Sequence, residues 1–457
     1  MKQNTLTEGK IYVPLIRFAL PVLAALLLQS LYGAVDLLIV GQFTNAREVS
    51  AVNTGSQIMM TMTGLVASLA MGATVRIGSQ IGRKDRQGAG ETIGSAMVLF
   101  TVIGAGMSVL IVVAASKLAE IMMAPEEAFA STVQYIRICG AGMVAIVAYN
   151  LIGCIFRGVG DSTTPLIAVF ISTVGNVFGD LVLVAGLKMG AAGAAVATVG
   201  AQVAAVIISV ILMTRRKQPF DFRREMIRAD RKIMRNILGI GIPVAIQDFL
   251  VGISFLVILA IVNSLGVIVS AGVGVAEKVC AFIMLVPSAF AQSLAAFVAQ
   301  NYGAGKLERA RRGLWYCIGT AFAIGLIMAY GSFFHGDILT GLFTKDTEVA
   351  LAGWEYLKAY AIDCMLTPIF FCFIGYYNGI NRTKFVMLQG IISAFLVRIP
   401  VSWIMSRQDP VSIFHIGLAT PASSTLQIVM CLVFFVWVLS RADSRAEAWS
   451  ACPEAVR

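Results

Sequence analysis

The residues best suited to chemistry are two acids and an amide inside apolar stretches. Asp36 lies within SLYGAVDLLIVG (30–41), and Asn176 and Asp180 lie within GNVFGD. A charge at the centre of a membrane helix costs about 2.5–3.5 kcal/mol on insertion scales, so it requires a partner, a proton or a bound cation. Asn176 and Asp180 are four residues apart and therefore share a helix face. Since two nearby acids in a low dielectric cannot both ionise cheaply, the pattern predicts a proton or sodium site.

A hydroxyl and several further polar side chains extend this candidate site. Thr198, in AAVATVGAQ, falls at a depth similar to that of Asn176 and Asp180 and is added to the predicted cation site. Tyr32 and Gln29 lie one and two turns before Asp36 on the same face, and both are candidates for lining a substrate cavity. The alternative interpretation is that these polar groups only hydrogen-bond helices together.

The second apolar stretch carries a polar stripe at helical spacing. Asn53 and Gln57 are followed by Thr61 and Ser68, and the stripe is interpreted either as facing a substrate cavity or as bonding between helices. Asp248, an acid near the middle of its apolar stretch, is a further cavity candidate.

Methionines and a proline complete the candidate set. Met284 is a candidate for lining an adaptable cavity, because methionine packs against varied apolar shapes. Pro21 lies fifteen residues before Asp36, where its missing N–H creates a hinge candidate. Asp363 and Glu277 are expected near the outer ends of their helices, where water at the interface solvates them.

Composition places the chain in the membrane. Its 457 residues are 58% hydrophobic and only 13% charged, whereas soluble domains average about 25% charged residues. Twelve apolar runs are long enough to span a bilayer at roughly 20 residues each. The sequence therefore predicts an all-α integral membrane protein.

The net charge of +10 is distributed in a way that sets topology. The connection between the sixth and seventh runs, residues 214–235, carries nine Lys or Arg against three acids, and the other even-to-odd connections are also basic. By the positive-inside rule both termini are cytoplasmic. The charge is thus explained without a nucleic-acid partner.

The two halves of the chain repeat. Pro21 in ALPVLAALLLQ matches Pro243 in GIPVAIQDFLV, and RGVGDSTTP from Arg157 matches NGINRTKF from Asn378. Because each copy holds six spans, an even number, both enter the membrane in the same direction as parallel repeats. The predicted organisation is two pseudo-symmetric six-helix lobes, an N-lobe over residues 1–213 and a C-lobe over 236–440. A cytoplasmic linker (214–235) joins them and a cytoplasmic tail (441–457) follows.

No soluble-type catalytic signature is found. There is no Gly-Lys-Ser/Thr phosphate loop, so ATP hydrolysis by this chain is not expected, and neither enzymatic activity nor a cofactor is predicted. Parallel six-helix repeats with a cavity between them are typical of transporters.

In this order and spacing the motifs resemble the multidrug and toxic compound extrusion (MATE) family of secondary transporters over essentially the whole chain. The resemblance rests on the double repeat, the Pro21–Asp36 first helix, the AQNYGAG turn at 299–305, the RGVGDSTTP turn at 157–165 and the Asn176/Asp180 pair. It implies two lobes that alternate outward and inward, exporting organic cations against proton or sodium entry.

Carried over residue by residue, the resemblance places the N-lobe cation site on Asp36, Asn176, Asp180 and Thr198. One sodium-coupled branch has a glutamate where this chain has Val251 and an aspartate where it has Thr367. The resemblance therefore implies the branch with an acidic first-helix site and no C-lobe cation site. Whether Asp248 substitutes for the missing glutamate is open.

These observations predict a multidrug antiporter of the cell (inner) membrane. Its expected partners are small organic cations and membrane lipid, the coupling ion is a proton or sodium, and the expected state is a monomer. The main alternative is a lipid-linked precursor flippase of related fold, which requires a strongly cationic cavity. Few basic residues lie within the spans, chiefly Arg76 and Arg398.

Overall fold

The computed structural model describes residues 6–216 and 218–450, and residues 438–450 by their backbone alone. Residue 217 of the predicted linker and residues 451–457 of the predicted tail lie outside the described residues. Within the described part of the chain every regular element is a helix.

Six spans make up the first half of the chain. They are Tyr12–Phe43, Ala46–Gly82, Arg86–Ile121, the pair Glu126–Ala141 and Met143–Val159, Thr163–Gly186, and Gly190–Arg215. The fourth of these is a pair of helices bent by 53° at Gly142. We refer to them as the first to sixth spans.

The second half supplies the seventh to twelfth spans. They are Arg231–Asn263, Val267–Gly303, Leu307–Phe334, Thr347–Gly379, Thr383–Met405 and Ile413–Trp437. Eleven of the described helices are long and apolar enough to cross a bilayer by themselves, and the bent pair makes twelve. The predicted all-α integral membrane fold with twelve spans is confirmed.

The internal repeat is visible in backbone detail. Pro21 lies inside the first span and Pro243 inside the seventh, and both helices continue through their proline. The matched turns after the fourth and tenth spans each contain a left-handed residue, Gly160 with φ of 93° and Asn381 with φ of 62°. Glycine and asparagine are the residues that adopt this conformation most readily at a helix end. The two halves therefore end corresponding helices in the same way.

A π-helical segment occurs late in each half. In the fifth span it covers Leu181–Gly186, directly after Asp180, and in the eleventh it covers Ala394–Arg398. Such segments add a residue to one helical turn, re-aim the side chains around them and occur frequently at functional sites. Each half thus has an irregular turn next to a buried polar side chain.

The described chain divides into two compact units. The first comprises the described residues up to Phe249 with Ser288–Cys317 and Ile374–Lys384, and the second comprises Leu250–Pro287, Ile318–Phe373 and the described residues from Phe385 onward. The boundary crosses several long helices of the second half. The lobe boundaries inferred from the repeat stay a prediction.

Glycines allow helices of the first unit to approach backbone to backbone. A Cβ at Gly72 of the second span would lie 2.1 Å from the Ile237 carbonyl oxygen, and one at Gly241 would lie 2.3 Å from the Leu69 oxygen. Because no side chain fits at these distances, only glycine permits the second and seventh spans to pack here. This contact joins the first repeat to the first helix of the second.

Candidate functional site: a buried acid pair in the first repeat

The structure brings the four residues of the predicted cation site together. Asp36 of the first span is 4% exposed, Asn176 and Asp180 of the fifth are both 0% exposed, and Thr198 of the sixth is 8% exposed. Three spans therefore contribute polar side chains to one buried cluster.

The cluster is dominated by acceptor atoms that have no hydrogen-bond partner among the described residues. Thr198 Oγ1 donates to Asp36 Oδ2 over 3.4 Å, a long bond. The Asp36 carboxylate interacts at close range with the side chains of Asp180 and Asn176. The atoms left unpartnered are Asp36 Oδ1, both oxygens of Asp180, and Oδ1 and Nδ2 of Asn176. Buried polar atoms are nearly always paired, so this group is unusual.

Small residues and an irregular turn position the cluster. A Cβ at Gly179 would lie 2.9 Å from the Ala197 Cβ, so the fifth and sixth spans touch next to Asp180 and Thr198. The π-helical segment begins at the residue after Asp180. Close contact at the Gly179–Ala197 pair therefore fixes the relative position of three of the four ligand candidates.

Tyrosines surround the cluster on the side of the first and fourth spans. The Tyr32 hydroxyl is buried, forms no hydrogen bond within standard distance among the described residues, and lies within electrostatic range of Asp36 and Thr198. Tyr135 and Cys139 of the fourth span are 2% and 1% exposed and also lie within electrostatic range of Asp36. Tyr32, predicted as a cavity residue, thus lies beside the cation site.

The donor set suits a hard monovalent cation or a proton. Carboxylate, amide and hydroxyl oxygens are the ligands that hard cations prefer. Two carboxylates at close range in a buried site repel each other, and a bound proton or sodium ion offsets that repulsion. The arrangement can therefore bind one positive charge reversibly between three helices.

Three of the four residues of the polar stripe in the second span, Asn53, Gln57 and Thr61, are exposed, and Ser68 is half-buried. The side chains of Asn53, Gln57 and Met60 all lie at the protein surface or along an opening of it, with Met60 74% exposed. Gln29 of the first span is exposed and interacts with the Tyr149 hydroxyl. None of these side chains reaches the acid cluster through a hydrogen bond given by the structure, so their role in a substrate cavity stays a prediction.

Asp248 lies at a different place. Its exposed carboxylate accepts a hydrogen bond from Ser68 Oγ, which links the seventh span to the second. Asp248 is not part of the buried cluster around Asp36. Its assignment to a substrate cavity stays a prediction.

Met284 lines an apolar pocket in the second unit. The pocket is bounded by residues such as Pro287, Met328, Tyr360 and Pro368. Thr367, at the position where the sodium-coupled branch carries an acid, also lines it. Its lining is suited to an apolar group.

The sequence pattern places one buried acid, Asp363, wrongly and does not identify a half-buried one, Glu48. Asp363 was expected at a solvated helix end, and this is wrong: it is 2% exposed and bonded to Thr367 and Ser424 within the protein. Depth along a helix does not reveal which face turns inward. Glu48 was missed because its partners, Ser131 Oγ and the backbone N–H of Ala191, are distant in sequence.

Comparisons with known proteins agree with this architecture. The MatE family model matches residues 21–182 and 243–404, one copy in each half of the chain. "Probable multidrug resistance protein YpnP" of Bacillus subtilis is 27% identical over 89% of this chain and 91% of its own length. "Multidrug export protein MepA" of Staphylococcus aureus is 22% identical over 87% of this chain and 88% of its own length.

Solved structures share the fold over nearly the full length. One described as an outward-facing conformation of a multidrug resistance MATE family transporter has a TM-score of 0.89 at 21% identity, covering 98% of this chain and 99% of its own. Another, described as a MOP superfamily transporter from Pyrococcus furiosus, has a TM-score of 0.88 at 21% identity, covering 97% of this chain and 98% of its own. The predicted fold of twelve helices in two lobes is confirmed, and the chain belongs to the MatE family of multi-pass membrane transporters.

Proposed function

We propose that this protein is a multidrug efflux antiporter that exports small organic compounds, chiefly cations, in exchange for protons or sodium. The observation that carries the proposal is the buried cluster of Asp36, Asn176 and Asp180, whose oxygens lack hydrogen-bond partners among the described residues. The names of the relatives, which describe multidrug resistance and export, support the class of substrate.

The proposed coupling follows from the helices that the cluster joins. A proton or sodium ion between Asp36 and Asp180 reduces their repulsion and favours packing of the first span against the fifth and sixth. Pro21, inside the first span, gives that helix a point at which it can bend. Antiport then requires only that ion and substrate favour different conformations of the protein.

The remaining parts of the proposal concern location and partners. The basic connections support placement in the cell (inner) membrane with both termini in the cytoplasm. We propose a monomer surrounded by lipid, with no cofactor beyond the exchanged ion. The proposed substrate-cavity residues are Gln29, Tyr32, Asn53, Gln57, Asp248 and Met284.

The proposal is tested with purified protein in liposomes. Efflux of a fluorescent organic cation is measured under an imposed pH gradient and, separately, an imposed sodium gradient, for wild type, Asp36→Asn and Asp337→Asn. Asp337 is an exposed acid of a short helix outside the spans, so its variant is a matched control. We expect one gradient to drive efflux in wild type and Asp337→Asn, and in Asp36→Asn no efflux despite normal folding.

Other results are equally informative. Ion-driven efflux by Asp36→Asn at the wild-type rate would contradict the proposal. Absence of efflux under either gradient, together with transfer of fluorescent lipid-linked precursor between leaflets, would favour the flippase alternative.

A further inference from the structure

A second buried polar cluster lies in the second unit, around Arg398 of the eleventh span. Arg398 is 3% exposed and is the last residue of the π-helical segment Ala394–Arg398. Its Nη1 donates to Ser254 Oγ over 3.2 Å, and the guanidinium carbon lies 4.5 Å from the centre of the Phe255 ring. Its Nε has no hydrogen-bond partner among the described residues. A permanently charged side chain is thus buried inside a membrane helix bundle.

The counter-charge is Asp363 of the tenth span. Its Oδ2 accepts from Thr367 Oγ1 over 2.7 Å and its Oδ1 accepts from Ser424 Oγ. Asp363 and Arg398 are close enough for their charges to interact, without a direct ion pair. Both oxygens of the Asp363 carboxylate accept from hydroxyls, and Asp363 and Arg398 contribute one negative and one positive charge.

The internal repeat relates this cluster to the acid pair of the first half. The second matched segment begins 222 residues after the first, at Pro243 instead of Pro21. At that offset Arg398 corresponds to Asn176, and the two acids Asp36 and Asp180 correspond to Ile258 and Ser402. The second half has therefore lost both acids and replaced the amide by a guanidinium.

Two further residues of the second cluster correspond in type and position to residues of the first. Thr420 corresponds to Thr198 at the same offset, and Tyr356 corresponds to Tyr135 within one residue. Tyr356 interacts with Thr420 and with Arg398, so these residues belong to one cluster in the second half. The architecture of the site is kept while its charges are changed.

The change in charge has a direct physical consequence. The first-repeat cluster holds two carboxylates and, among the residues that the structure describes, no basic side chain, so a mobile proton or cation must supply the positive charge. The second-repeat cluster contains its own positive charge on Arg398, and arginine stays protonated in proteins. Its charge balances that of Asp363, so this pair is neutral without a bound ion.

We propose that the Arg398 guanidinium is a tethered cation that takes, in the second repeat, the place of the exchangeable ion in the first. The second-repeat cluster then binds no coupling ion, and ion-driven conformational change is confined to the first repeat. This inference rests on the proposed function for its meaning in transport, but its central claim concerns ion binding by the purified protein.

The titratable groups near Arg398 determine which controls a test of ion binding needs. The charge of Arg398 interacts with Asp363, Tyr356 and Tyr360 of the tenth span. Cys280 and Glu277 of the eighth span and Cys364 of the tenth lie within electrostatic range of Tyr356, Tyr360 or Asp363. Of these only Glu277 is a second acid, and it is therefore the one group that must be controlled for.

The experiment measures whether sodium and pH change the melting temperature of purified full-length protein in detergent. All variants are made in the Asp36→Asn/Asp180→Asn protein, in which both first-repeat carboxylates are replaced by amides. Melting temperatures in sodium are compared with those in equimolar choline. To the Asp36→Asn/Asp180→Asn protein are added Arg398→Gln, Arg398→Lys, and the neutral pair Arg398→Gln/Asp363→Asn. Glu277→Gln is added to the Arg398→Gln variant to control for the second acid.

The tethered-cation role predicts a specific pattern. Arg398→Gln should lower the melting temperature and make it rise with sodium or falling pH, because Asp363 is then left without a positive partner. Arg398→Gln/Asp363→Asn should lose that ion response and recover stability, and Arg398→Lys should show no ion response. Glu277→Gln should leave the response of the Arg398→Gln variant unchanged.

Contrary results are equally clear. If Arg398→Gln acquires no ion response, or if Arg398→Lys and the neutral pair are as unstable as Arg398→Gln, then Arg398 acts through packing against Phe255 and the proposal is wrong. If the Asp36→Asn/Asp180→Asn protein does not fold, the Arg398 variants are made in the wild-type protein instead. The number of ions exchanged per substrate molecule is then measured, and Arg398→Gln should increase it. Normal transport by Asp36→Asn would contradict the proposed function and leave this ion-binding result intact.

Discussion

Ser68 Oγ donates a hydrogen bond of 2.5 Å to Asp248 Oδ2, and this bond joins the second span of the first repeat to the first helix of the second repeat. It lies one helical turn from the glycine contact between Gly72 and Ile237. The same two helices are therefore joined by a polar bond and, next to it, by direct backbone packing.

Replacing the Asp248 carboxylate should weaken recognition of cationic substrates. We expect Asp248→Asn to raise the KM for a cationic substrate about tenfold, equivalent to about 1.4 kcal/mol, because the amide keeps the shape but removes the charge. Ser68→Ala retains the carboxylate and should change the KM by less. The measurement is concentration-dependent efflux in liposomes, with a neutral substrate as the reference. Equal effects on the neutral and the cationic substrate would contradict a role for the charge.

The sequence predicts some of these relationships and misses others for physical reasons. The spacing of Asn176 and Asp180 predicts that they share one helix face, because residues four apart are neighbours on a helix. The bond between Ser68 and Asp248 connects residues 180 positions apart, so it depends on how helices pack and not on spacing. Asp363 was misplaced because hydropathy locates a residue along a helix axis and says nothing about the direction of its side chain.

Gly72 should tolerate no side chain. Since a Cβ there would lie 2.1 Å from the Ile237 carbonyl oxygen, Gly72→Ala must push the second and seventh spans apart. We expect a loss of at least about 1–3 kcal/mol of stability, the usual cost of overpacking. Gly64, on the same helix, has open space around its Cβ position, so Gly64→Ala should be neutral or stabilising. The free energy of unfolding in detergent is measured for both variants. If Gly72→Ala and Gly64→Ala change it equally, the close contact at Gly72 is contradicted.

Glu48 should stabilise the first repeat by connecting three spans. Its Oε1 accepts from Ser131 Oγ over 2.9 Å and its Oε2 accepts from the Ala191 N–H, at the start of the sixth span, over 2.7 Å. Removing a charged acceptor with two partly buried donors costs about 1–3 kcal/mol, so Glu48→Ala should lower the unfolding free energy by that amount. Glu48→Gln, which keeps one carbonyl acceptor, should lie between.

The control for Glu48 is Glu126, an exposed acid in the first turn of its helix. Glu126→Ala should change stability by no more than about 0.5 kcal/mol. If both variants have the same stability, the bonds of Glu48 contribute nothing beyond an ordinary helix-terminal charge.

Arg309 should anchor the segment that precedes the first span. Its guanidinium donates to the backbone oxygens of Leu6, Glu8, Gly9 and Lys10, the shortest bond being 2.6 Å to Gly9. We expect Arg309→Ala to cost about 1.5–3 kcal/mol, since several carbonyls lose a charged donor at once. Protease cleavage near residue 10 should also become faster, because the segment is released. The opposite result, unchanged cleavage, would show that the segment is held by other contacts.

A neighbouring arginine supplies the control. Arg312 is 65% exposed, and its ion pair among the described residues is with Glu308 of its own helix, over 3.1 Å. A surface pair of this kind contributes about 0.3–0.5 kcal/mol, so Arg312→Ala should have little effect on stability or cleavage.

The members of the first-repeat cluster should differ in their effect on the coupling ion. Asp36→Asn and Asp180→Asn each remove one of the two carboxylates that an ion would join, so either should abolish ion-driven transport. Thr198→Ala removes the 3.4 Å bond to Asp36, whose loss is worth about 0.5–1 kcal/mol, and should raise the half-saturating ion concentration about two- to fivefold. Thr173→Ala is the matched control, because the Thr173 hydroxyl bonds to Val169 O of its own helix. Transport rates measured against ion concentration separate these effects, and a loss in Thr198→Ala as complete as that in Asp36→Asn would mean that the hydroxyl is a principal ligand and not an auxiliary one.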